Sequence, residues 1–153
     1  MKSNCEELID IINVFEGDMD STGQGWCDAG ADMCEDVFGK FTEMDWNELQ
    51  RKFLSYNDEW KYMFIYALGL VSHEKSAPFL AELVKSSCDK VWEEAFIDLS
   101  NIYKGNATII KKLNLTKSDA KEIYIKCSID NPKYYHPKDN NIVNFLSYIN
   151  ERT

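Results

Sequence analysis

The chain has 153 residues, 44% of them hydrophobic and including 4 Trp, 8 Tyr and 8 Phe, and it sets 26 Asp or Glu against 17 Lys or Arg for a net charge of −9. That length and aromatic content exclude a disordered chain and predict one domain, large enough to bury a core without disulfides or metals. No apolar run reaches membrane-spanning length, and the start, MKSNCEELID, is acidic where a secretory signal is basic and then apolar, so a cytoplasmic protein is expected.

In chain order, residues 5–15 read as a first helix with Leu8, Ile11, Ile12 and Phe15 on one face and Glu6, Glu7 and Asp10 away from it, expected to cap the fold. From Glu16 the pattern breaks into GDMDSTGQGWCDAGAD, with glycines at 17, 23, 25 and 30. This predicts an acidic, Gly-rich loop over residues 16–32, longer than packing requires and therefore a place for a functional surface. Residues 33–38 predict a short helix stopped by Gly39. Asp45 with Glu48 three residues on predicts a helix start, running to Leu54. A turn over 55–58 leads to a second helix, which ends near Val71. Ser76 is the expected cap of the next helix, with Pro78 in its first turn and Phe79, Leu80, Leu83 and Val84 facing inward. Asp89 precedes a longer helix carrying Val91, Trp92, Ala95, Phe96, Leu99, Ile102 and Tyr103 on one stripe. Residues 106–113 and the segment opened by Thr116 and Asp119 predict two more helices. DNPKYYHPKDN, with Pro132 and Pro137, is a non-helical crossing, and Ile142, Phe145, Leu146 and Ile149 predict a closing helix.

The charge is unevenly spread. Residues 1–60 hold 15 Asp or Glu against 4 Lys or Arg, a balance of −11, and residues 61–153 hold 11 against 13, a balance of +2. Such a surface disfavours nucleic acid and anionic membrane and favours a basic protein partner. Asp18, Asp20 and Thr22 before Gly23 are spaced like the start of a calcium loop, but Ala29 stands where a bidentate Glu should close it and Gly25 where an apolar residue belongs. Those carboxylates suit Lys or Arg on a partner instead. The expected binding surface is Asp18, Asp20, Asp28, Asp32, Glu35 and Asp36, with Trp26 and Tyr56 as apolar anchors. Trp26 fits equally well as an anchor of the loop to the core. The five cysteines, Cys5, Cys27, Cys34, Cys88 and Cys127, are odd in number and scattered, as reduced thiols are. No Cys falls at zinc-ligand spacing from His73 or His136, so a site of Cys27, Cys34, His73 and His136 would have to be assembled by the fold. No catalytic constellation, phosphate-binding glycine loop or nucleophile elbow is present in the sequence, and no cofactor is expected.

Residues 45–104 contain two copies of one pattern at an offset of 31: Leu49, Phe53, Asp58, Trp60, Phe64 and Leu68 fall on Leu80, Val84, Asp89, Val91, Ala95 and Leu99. The shared Asp is expected to cap the second helix of each copy. DEWKYMFIYAL and DKVWEEAFIDL resemble the second helix of the HEAT repeat; Lys61 keeps that family's basic position and Trp92 departs from it. The resemblance implies an all-α fold, a right-handed HEAT-like stack of antiparallel helix pairs with units at 45–71 and 76–104 lying parallel. A small, acidic chain of this kind also resembles the immunity proteins of bacterial toxin systems, including contact-dependent growth inhibition. That resemblance implies a protein, monomeric when free, that neutralises a cognate toxin domain, commonly a basic nuclease, by binding it. A helical-repeat scaffold or adaptor for another protein or peptide is the alternative, and a helical-repeat enzyme a further one.

Overall fold

The computed structural model describes residues 1–15, 25–126, 145, 147 and 148. Among these residues there are eight α-helices, a π-helical turn, a 3-10 turn and no strand, the all-α class that the periodicity predicted. The chain divides into two compact units, Met1–Ser72 and His73–Thr153.

In the first unit, α1 (Asn4–Val14) starts from a capping box: the Ser3 hydroxyl accepts from the Glu6 N–H, and the Glu6 carboxylate accepts from the Ser3 N–H. Its buried residues Cys5, Leu8, Ile9, Ile11 and Ile12 spread over about 160° at 100° per residue, more than one neighbour can cover. Accordingly α1 packs on α2 (Ala31–Phe38), α3 (Glu43–Lys52) and α4 (Asp58–Leu68). It is the hub of its unit and not an end cap.

The start of α3 lies upstream of the expected position. Thr42 is the N-cap, and Asp45 is the third helical residue, accepting from the Thr42 N–H at 2.9 Å and the Thr42 hydroxyl at 3.0 Å. The Asn4 amide donates both to Asp45 Oδ2, at 3.1 Å, and to the Lys40 carbonyl, at 2.9 Å. Because α3 itself buries only Asp45 and Leu49, this polar clamp carries much of its attachment to α1. The helix tightens into a 3-10 turn at Phe53–Ser55, and Asn57 caps α4 by accepting from the Trp60 N–H at 2.8 Å. Asp58 is therefore not the cap; it adds a negative charge to the positive end of the helix. With Trp60, Met63, Phe64, Ile65, Ala67 and Leu68 buried, α4 packs more on α1 and α2 than on α3, the partner the repeat predicted, although Phe53 in the turn after α3 lies 5.9 Å from Phe64.

In the second unit, α5 (His73–Leu83), α6 (Asp89–Gly105) and α7 (Ala107–Lys111) pack against one another. The first of these begins at His73, so Ser76 is a buried interior residue and Pro78 stands in the helix body with its ring exposed. Pro78 has no N–H to offer the Glu74 carbonyl, and exposure lets water take that place. Ahead of α6, Cys88 supplies no side-chain cap; the Asp89 carboxylate instead accepts from the Trp92 indole N–H at 3.1 Å, orienting a fully buried ring. The predicted capping box of Thr116 and Asp119 opens α8 (Lys117–Ile125). Lys126 then donates to the Ser86 carbonyl at 2.9 Å with its amine 5.4 Å above the Trp92 ring. Phe145 is buried against Phe96 and Tyr103 at 5.7 and 5.8 Å. The expected crossing at 130–140, most of the closing helix, Cys127 and His136 lie outside the described residues.

Candidate interaction surface

Helix begins well before the expected start at Met33. A π-helical turn, Trp26–Gly30, continues without a break into α2, with Gly25 and Gly30 both in right-handed helical geometry. One stripe of this run, Trp26, Gly30, Cys34, Val37 and Phe38, is buried. Gly30 permits it: a Cβ there would fall 2.9 Å from Phe15 Cδ2 and nearer still to Trp26 Cε3. The Trp26 ring packs 5.9 Å from Phe15 and has 0% exposure. That corrects its assignment as a partner anchor, because an enclosed indole presents no surface, and makes it an anchor of the segment to the core.

The opposite stripe is exposed and consists of Ala29, Asp32, Met33, Glu35 and Asp36. Asp32, Glu35 and Asp36 stand at i, i+3 and i+4, so the structure brings these three predicted residues onto one face. Among the described residues none of them is in an ion pair, while Lys2 and Lys52 are paired with Asp10 and Glu48. Glu35 and Asp36 also lie in the last turn of α2, which holds no basic residue. Negative charge there opposes the helix dipole, and the like charges repel at i, i+4. Met33, 47% exposed at one edge of this face, was missed in sequence; its place next to Asp32 and three residues before Asp36 on a helix was the available signal. Tyr56 is half-buried with its ring stacked on Trp60 at 4.5 Å, leaving only part of it to a partner. Asp18, Asp20 and the side chain of Asp28 lie outside what the structure describes, as do Thr22, Gly23 and the Cys27 side chain.

The titratable groups inside the protein are arranged for packing. Burial pushes the Cys34 thiol up to about 12, and burial followed by the nearby Glu48 carboxylate does the same for Cys5. A thiol held protonated in this way is a poor nucleophile and a poor ligand. His73 is exposed at the head of α5, and among the described residues no three His, Cys, Asp or Glu side chains gather as a metal site. On α6, burial raises Glu94, and burial with the Glu94 charge four residues away lifts Asp98 to about 6. No described helix is long and apolar enough to cross a membrane. No family model, curated protein or solved structure matches the chain.

Proposed function

We propose that the chain is an immunity protein that binds and neutralises a cognate, basic toxin domain of the nuclease type in the cytoplasm, acting by binding and not by catalysis. The observation that carries this reading is the exposed face of α2: three like charges that repel one another, two of them in the last turn where they oppose the helix dipole, and none paired with a cation among the described residues. A fold retains such a cost most readily where a cationic partner offsets it, and desolvated carboxylate pairs with Lys or Arg are the strong contacts of acidic inhibitors. Met33 supplies an apolar contact at the edge of that face, and the proposed contact set also includes Asp18, Asp20, Asp28 and Tyr56. The HEAT-like stack belongs to the same proposal and is supported in the second unit by the packing of α5 on α6. The test is to search the neighbouring reading frames for a toxic effector domain and to co-produce that domain with the chain. Survival of the cells and a stoichiometric complex are expected. A viable effector variant that forms no complex with the chain would overturn the reading, and capture of an extended peptide in its place would make the protein an adaptor.

A further inference from the structure

We draw no further inference here: the strongest candidate, the half-buried Glu94 and Asp98 carboxylate pair on α6, rests on its raised pKa alone, with no hydrogen-bond or charged partner in the described structure to say what it would bind.

Discussion

Asn4 places one amide between a carboxylate and a carbonyl of the neighbouring segment, and Asp45, 6% exposed, depends on it. The N–H and hydroxyl of Thr42, the Asn4 amide and the Cys5 N–H all favour the ionised form, the Thr42 N–H most, and hold Asp45 below the usual carboxylate range. A depressed pKa contributes stability above the unfolded value and loses it as pH falls through the folded one. Asn4→Ala should therefore cost about 1–3 kcal/mol near neutral pH, read by denaturant unfolding, and the cost should shrink as the pH falls through the depressed folded value of Asp45; an unchanged midpoint at pH 7 would show that the clamp holds nothing. Asp98 has the opposite sign. Its folded pKa is raised from 3.8 to about 6, so its burden is absent below pH 4, grows between 4 and 6 and is complete above. Discounted for the partial exposure of the carboxylate, that burden is about 1–2 kcal/mol. Asp98→Asn should raise the melting temperature at pH 7.5 and leave it unchanged at pH 4. A gain equal at both pH values would come from helix propensity and not from titration.

At the scale of the element, the helical run ending in α2 carries two opposed demands. Its inner stripe needs Gly30, because any Cβ there meets Trp26 and Phe15. Gly30→Ala should cost about 1–3 kcal/mol by overpacking, although alanine is the better helix former; a stabilised variant would mean that the Trp26 ring has room to retreat. Its outer stripe carries charge that its own helix does not want. Converting Asp32, Glu35 and Asp36 to Asn, Gln and Asn removes the repulsion and the unfavourable dipole contacts of Glu35 and Asp36 at the loss of the favourable one of Asp32, so the variant should be more stable by about 0.5 kcal/mol and yet bind its partner at least tenfold more weakly, about 1.4 kcal/mol. A loss of both stability and binding would assign these residues to the fold. Part of this was legible in sequence and part was not. Glu35 and Asp36 fell within the predicted helix, whereas Asp32 was read as the end of the loop, and it joins their face because the helical run extends back to Trp26. Trp26 was ambiguous because its burial depends on Phe15, across a stretch that the glycines made look like loop. The start of α3 was misplaced for a related reason: Asp45 was read as a cap with Glu48 as its partner, whereas its carboxylate is taken up by Thr42 and by Asn4, the latter 41 positions away in the chain. Thr116 with Asp119 had no such competitor, and there the local pattern sufficed.

At the scale of the molecule, charge and structure share a boundary. Met1–Ser72 holds 15 Asp or Glu against 5 Lys or Arg, a balance of −10, and His73–Thr153 holds 11 against 12, a balance of +1. The sequence already showed the asymmetry with the division at residue 60; the packed unit ends twelve residues further on, at Ser72, and the only charged residue in between is Lys61. This separates two ways in which acidity could act. If only the field of the whole chain drew a basic partner, making the second unit more acidic would strengthen association. If the face on α2 is the contact, the second unit should matter little. Lys112, Lys117 and Lys121 are exposed, and reversing all three to Glu lowers the net charge by six, twice the change made by neutralising Asp32, Glu35 and Asp36. The reversal should raise the association rate severalfold at most and leave dissociation unchanged, whereas the neutral α2 variant should dissociate faster. Raising salt from about 50 to 500 mM shortens the Debye length to a few ångströms; it should slow association of the wild type and of the lysine variant alike, with little effect on the dissociation rate. Kinetics of each variant against the cognate domain, with circular dichroism to confirm folding, decide between the two. Should the lysine reversals abolish binding while the α2 variant keeps it, the contact lies on the second unit and the acidity of the first serves solubility alone.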